Sequence, residues 1–289
     1  MRLGGIEAGG TKMVCGICDE SGNVLDRISI PTLSPDETIP LMIDYFKDKK
    51  IDCLGIGSFG PINLDENSLD YGKIMRTPKK LWEGFDFVKT FENALNVPVG
   101  LDTDVNAAIY GEVTFGAAKG TTSAIYITIG TGVGVGVYVN GALLHGLVHP
   151  EAGHILIDKL KDDTKPCACA FHKNCLEGLA SGTAIKQRYG VSADKINDNQ
   201  KALDETSYYI ANAIASYILT YSPQRIILWG GVMHNDKLKA MIGPKVKELL
   251  NGYVMSDMID NINDYIVDPL LGDNPGLVGA ALLGLDEIA

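Results

Sequence analysis

The chain has no excess of positive charge. Its 25 lysines and arginines stand against 36 aspartates and glutamates, a formal net charge of −11. A balance that acidic does not suit the phosphate backbone, so nucleic acid is not an expected partner. No apolar run approaches the length needed to span a membrane, and no membrane contact is expected. No basic segment followed by a long apolar stretch opens the chain, which enters a strand-like run directly, so a cytoplasmic protein is expected. Low-complexity tracts and disordered linkers are missing as well. What remains is 289 residues, room for two domains of ordinary size, each with its own core.

Cysteine is sparse, six in all. Cys15 and Cys18 have redox-motif spacing, but they lie in a predicted strand, where that spacing sends the side chains to opposite faces. Cys53, before an apolar strand, reads as a small core residue. Cys167, Cys169 and Cys175 cluster, and in a reducing compartment such a cluster suggests a metal.

The chain is rich in patterned glycine. Ile125–Val137 reads as a β-branched strand, a tight turn at Gly130-Thr131-Gly132, and a second strand with glycine at alternate positions. A turn of this kind lets a ligand approach the backbone and aims successive N–H groups at an anion, phosphate above all. An earlier copy occupies Gly4–Val14, with its turn at Gly9-Gly10-Thr11. Two such hairpins, each opening half of the chain, predict a duplicated domain with a nucleotide between the halves.

Helical spacing covers Thr38–Lys49, with Ile39, Met42, Ile43 and Phe46 on one face, after a loop over Pro31–Asp36. Strands are expected at 53–58, 97–101, 225–229 and 265–267, and helices at 85–95, 203–221, 238–250 and 276–285. Thr103 or Asp104 can cap a helix running towards Phe115.

Six segments, in order, resemble the ROK family of sugar kinases over nearly the whole length: Glu7–Lys12, Thr103–Ala108, Ile129–Gly134, Pro150–His154, Cys169–Gly178 and Trp229–Met233. Within that family the chain looks most like bacterial zinc-containing fructokinases. The resemblance implies an α/β fold of two duplicated RNase H-like domains, as in actin and hexokinase, with the active site in the cleft between them. Residues 1–116 with a C-terminal helix at about 276–289 would form one domain, and 117–275 the other. The implied activity is transfer of phosphate from ATP to a hexose, most simply D-fructose. A glucokinase, mannokinase or amino-sugar kinase is the nearest alternative, and a non-catalytic sugar sensor or an actin-like ATPase a more distant one. A two-fold dimer is the simplest assembly.

The resemblance also distributes roles. Phosphoryl transfer depends on alignment and charge neutralisation more than on covalent help. Gly9, Gly10, Thr11, Lys12, Thr131 and Gly132 would grip the phosphates. Gly182, Gly230 and Gly231 would line the adenosine pocket, with Val232 and Met233 packed on the base. Glu7 can hold the Mg²⁺ that accompanies ATP, or stand as an exposed turn acid. Asp104 is the candidate general base, with plain helix capping as the alternative. The helix N-terminus favours its ionised form, so strong basicity is not expected. Thr103, Asn106, Glu151, His154, Glu177 and Gly60 would meet the sugar, with Asn106 alternatively bracing Asp104. Cys169, His172 and Cys175, with His154 as fourth member, would hold a structural Zn²⁺, Cys167 competing with His172.

Overall fold

The computed structural model describes residues 1–77 and 79–289. In the first half, β1 (Leu3–Ala8), β2 (Lys12–Cys18) and β3 (Val24–Pro31) form an antiparallel meander. The helix α1 (Pro35–Lys47) leads to β4 (Cys53–Ser58), and α2 (Phe87–Leu95) leads to β5 (Val99–Thr103). Both later strands join in parallel, giving the order β3-β2-β1-β4-β5. Next come α3 (Asp104–Phe115) and a second meander of β6 (Ala124–Ile129), β7 (Val133–Val139) and β8 (Ala142–Leu143).

Three helices follow: α4 (Leu176–Ala180), α5 (Gly182–Tyr189) and α6 (Gln200–Tyr221). Strand β9 (Arg225–Trp229) then pairs in parallel with β6. After α7 (Asp236–Leu250), α8 (Asp257–Asp260) and α9 (Ile262–Tyr265), the short β10 (Ile266–Val267) adds outside β9. Read from its meander edge the second sheet runs β8-β7-β6-β9-β10, the arrangement of the first. The duplication suggested by the two glycine hairpins is therefore present in the sheet topology.

Every residue of β4 is buried, as expected of a parallel strand covered on both faces. On one face of the first sheet lie α1 and α2, with Met42, Phe46, Phe87 and Phe91 packed on Ile6 and Ile56. On the other lies α10 (Pro275–Asp286), whose Leu277, Val278 and Ala281 meet Leu3, Val14 and Cys53. Cys15 belongs to the first of these cores and Cys18 to the second, so the two thiols do face opposite ways. In the second sheet, α6 and α7 cover one face, while Ala108 and Ile109 of α3 cover the other, against Ala124, Tyr126 and Ile227.

The middle of the molecule is thus two helices deep, α10 on the first sheet and α3 on the second, and they touch closely. A Cβ at Gly279 would lie 1.6 Å from the Ala107 carbonyl oxygen, and one at Gly55 would lie 1.7 Å from that of Ala280. Glycine at these two points lets α10 press simultaneously on α3 and on β4.

Several boundaries differ from expectation by one to three residues, β5 spanning Val99–Thr103 and α6 starting at Gln200, and the start of α1 has an identifiable cause. Helix α1 starts at Pro35, inside the segment read as a loop. The Glu37 carboxylate accepts from the Ser34 N–H at 3.2 Å and from its hydroxyl at 2.6 Å, and Pro35 sits at the first helical position. That capping chemistry outweighs the missing apolar periodicity of the first turn.

Candidate active site

The end of β5 and the start of α3 put a carboxylate at the joint between the sheets. Thr103 caps the helix: its Oγ1 accepts from the Asn106 N–H at 3.1 Å. Asp104 is therefore the first helical residue rather than the cap, and its Oδ1 accepts the adjacent Val105 N–H at 2.9 Å. Its side chain borders a cavity of about 150 Å³ that also exposes Glu7 and Lys12 from the first half, Thr128 and Trp229 from the second, and Asp273.

Burial pushes the Asp104 carboxyl up to about 7, assisted by the nearby Glu7 charge and opposed by the Val105 N–H. The expectation of a weakly basic group is thereby corrected. The helix terminus does favour the anion, but desolvation is the larger effect. Glu7 lies within the cleft, its carboxyl also raised by burial and held down in part by Lys12. The exposed-turn alternative for Glu7 is excluded by that placement.

Both glycine turns are hydrogen-bonded scaffolds. In the first, the Gly9 N–H donates to the Lys12 carbonyl at 3.0 Å, and the Thr32 hydroxyl donates to the Gly9 carbonyl at 2.8 Å. Thr11 and Lys12 remain exposed. In the second, the Gly182 N–H donates to the Gly130 carbonyl at 2.7 Å, and the Thr183 hydroxyl donates to the Thr131 carbonyl at 2.8 Å. The N-terminus of α5 is thus fastened to the second turn. Glu177 completes this joint: its Oε2 accepts from the Val133 N–H at 3.0 Å and leaves no room for a Cβ at Gly132.

Gly230 has φ of +102° and lies against the backbone of Ile129, where a side chain would collide. Beyond it, Gly231 opens onto free space. Val232 and Met233 are core residues, 2% and 1% exposed. The expected packing of these two side chains on a base is corrected: this turn offers glycine backbone, and Val232 and Met233 anchor it from behind.

The remaining acids converge from separate segments, Glu151 from the loop after β8 and Glu177 from the first turn of α4. Glu151 faces Gly60 across the cleft, its Oε1 3.4 Å from where a Cβ of Gly60 would stand. Burial raises its carboxyl, with Glu177 adding to the effect. Glu177 Oε1 lies 3.8 Å from His154 Nε2. Asn106 does not join this group or brace Asp104. Its amide donates to Asp102 Oδ1 at 2.8 Å, inside a buried cluster.

His154, Cys169, His172 and Cys175 hold their candidate ligand atoms within 4.8 Å of one another. The Cys169 Sγ to His154 Nδ1 and His172 Nδ1 separations are 3.8 and 3.5 Å, and Cys175 Sγ lies 3.5 Å from His154 Nδ1. Bonds of about 2.0–2.3 Å to a tetrahedral Zn²⁺ give edges of roughly 3.3–3.8 Å. The donor set and its spacing fit that ion. Cys167 stands apart, its Sγ against Gly178.

Three contributors escaped the sequence reading. His149, next to Glu151, is buried, and its Nε2 accepts from the Ile62 N–H at 3.3 Å. The ring proton is therefore on Nδ1, 3.6 Å from Glu151 Oε1, and burial lowers the pKa of this histidine. His145 Nε2 lies 2.7 Å from Asp102 Oδ2, and that bond raises its pKa. Asp273 enters the cleft from the loop before α10. Only His149 carried a local signal, its adjacency to the Pro150-Glu151 segment.

Known proteins share this architecture. The ROK family model matches residues 3–287. A Bacillus subtilis (strain 168) protein provisionally named a fructokinase is 49% identical, over 97% of this chain and 94% of its own. The fructokinase of Pediococcus pentosaceus is 43% identical, over 98% of this chain and 97% of its own. The crystal structure of a ROK hexokinase from Thermus thermophilus superposes with a TM-score of 0.81 at 25% identity, covering 100% of this chain and 99% of that one. With duplicated sheets, a cleft carboxylate beside Glu7 and Lys12 and a family match over almost every residue, this chain belongs to the ROK family.

Proposed function

We propose that the protein is a fructokinase that transfers the γ-phosphoryl group of ATP to the 6-hydroxyl of D-fructose. The observation that carries this reading is the Asp104 carboxyl, raised to about 7 in a cavity it shares with Glu7 and Lys12 of the first half and Thr128 of the second. A carboxylate of that basicity accepts a hydroxyl proton near neutral pH. The choice of fructose rests on fructokinase relatives 39–49% identical over nearly the full chain.

In this mechanism Glu151, His154 and Glu177 hold the sugar hydroxyls, and Gly60 walls the pocket. Asp104 takes the proton of the attacking hydroxyl as its oxygen bonds to the γ-phosphorus. The bond from that phosphorus to the ADP oxygen breaks, and its electron pair leaves with ADP. Backbone N–H groups of the two turns and the Lys12 ammonium spread the phosphate charge. Glu7 would stand by the water shell of the Mg²⁺ that accompanies ATP, an ion that would neutralise further charge. The adenosine lies along Gly182, Gly230 and Gly231. Residues 1–116 with about 276–289 form one domain and 117–275 the other, closing over both substrates to exclude water.

His154, Cys169, His172 and Cys175 would hold a Zn²⁺, which would fix the segment that presents Glu151 and Glu177. The free thiols of Cys15, Cys18 and Cys53 suit a reducing cytoplasm.

The test is sugar-dependent ADP release with ATP and Mg²⁺ over fructose, mannose, glucose and N-acetylated amino sugars. The highest kcat/KM on fructose is expected. Preference for another hexose would replace the substrate and keep the mechanism, and no turnover with any sugar would refute the kinase reading.

A further inference from the structure

The first glycine turn has a neighbour that none of its own residues announces. Lys79 lies across it: a Cβ at Gly10 would stand 3.0 Å from Lys79 Cε and 3.9 Å from Nζ. The same ammonium is 6.0 Å from the centroid of Phe59, the residue immediately before Gly60 in the sugar wall. Lys79 therefore spans the gap between the phosphate turn and the sugar pocket.

Its surroundings hold it there without neutralising it. Nearby, Lys73 and Lys80 are paired with Asp70 at 2.6 Å and Glu83 at 3.1 Å. Among the described residues Lys79 has no carboxylate within 4 Å, although acids outnumber bases by 36 to 25 in this chain. Its backbone is fixed at both ends: the Lys79 N–H donates to the buried Thr77 hydroxyl at 3.4 Å, and its carbonyl accepts from the Trp82 N–H at 2.9 Å. Trp82 is itself locked, its indole donating to the Leu33 carbonyl at 2.7 Å and its ring edge-on to Phe59 at 5.9 Å. One aromatic unit thus sets both the lysine and the start of the sugar wall.

An unpaired ammonium, preorganised where a phosphoryl group passes from one side of a cleft to the other, is placed to bind that group during transfer. We propose that Lys79 binds the transferred phosphoryl group and then the 6-phosphate of the sugar product. The inference deepens the kinase reading and rests on it. The balance of the step is unchanged: the hydroxyl proton goes to Asp104, the electron pair of the broken P–O bond goes to ADP, and Lys79 supplies charge without transferring a proton.

The test uses the full-length protein with Lys79→Met, Lys79→Arg and, as a control on the paired surface lysine, Lys80→Met. Turnover is measured with fructose and ATP. Calorimetry measures binding of fructose and of fructose 6-phosphate separately, without nucleotide. Lys79→Met should lower kcat about 100-fold or more, weaken fructose 6-phosphate binding at least tenfold, and leave fructose binding within twofold. Lys79→Arg should recover most of both losses, and Lys80→Met should match the wild type. Unchanged kcat and product affinity in Lys79→Met would overturn the proposal. Equal weakening of fructose and its phosphate would also overturn it, since that pattern marks a structural role in the sugar wall. If Lys79→Met does not fold, Lys79→Gln is judged by the same criteria. If the wild type prefers another hexose, that hexose and its 6-phosphate replace fructose, so a wrong substrate and a wrong lysine give different results.

Discussion

Replacing Asp104 with asparagine should abolish turnover and make the protein more stable. The two effects have one origin. The folded structure holds the Asp104 carboxyl at about 7 against an ordinary value of 3.8. Between those values the folded protein keeps a proton that the unfolded chain releases, so the stability associated with this group falls as pH rises from about 4 to 7 and is level above. A difference of roughly 3 pKa units corresponds to at most about 4 kcal/mol. Partial solvent contact of the side chain reduces the expected gain to about 1–2 kcal/mol, or roughly 2–8 °C in melting temperature for a chain of this size. Asparagine mimics the protonated acid. The melting difference between Asp104→Asn and wild type should be near zero at about pH 4 and below, widen steadily from there to about pH 7, and stay constant above. Turnover should fall by about 10²–10⁴-fold, and wild-type kcat/KM should show a limb with apparent pKa near 7. A melting difference independent of pH, a variant less stable than wild type at pH 8, or retained turnover would refute the assignment.

Two further tests address the surroundings of the site. Metal analysis of purified protein should find about one zinc per chain, and Cys175→Ser should lower the melting temperature and raise the sugar KM about tenfold. An active, metal-free wild type would overturn the ligand assignment. Gly279→Ala should cost more than about 2 kcal/mol by denaturant titration, because the new methyl meets the Ala107 carbonyl between two fixed helices. A change below about 0.5 kcal/mol would show that α10 can shift away from α3.

The sequence revealed most where local signals coincide with tertiary demand. Strands β4 and β9 were found to the residue because each is an apolar run ended by a sharp break, Phe59-Gly60-Pro61 in one case and Gly230-Gly231 in the other. The start of α1 is set by the Ser34–Glu37 cap and not by apolar periodicity, which begins only at Thr38. Asp104 was singled out by its motif, but its basicity depends on what surrounds it, and Glu7 is far away in sequence. Asn106 shows the same limit: its amide is directed to Asp102 by packing that no spacing rule contains. Lys79 and His145 meet Gly10 and Asp102 across long sequence separations, so their placement appears only once the chain is folded.

The placement of α10 also bears on how the protein is made. This helix, near the end of the chain, covers one whole face of a sheet whose first strand begins at Leu3. As the nascent chain leaves the ribosome at about 5–20 residues per second, the interval between β5 and α10 is on the order of ten seconds or more. During that time Leu3, Val14 and Cys53 lack their final covering. The first half to be translated is therefore the last to be completed, and a ribosome that stalls before residue 275 releases a chain with an apolar sheet face open to chaperones and proteases.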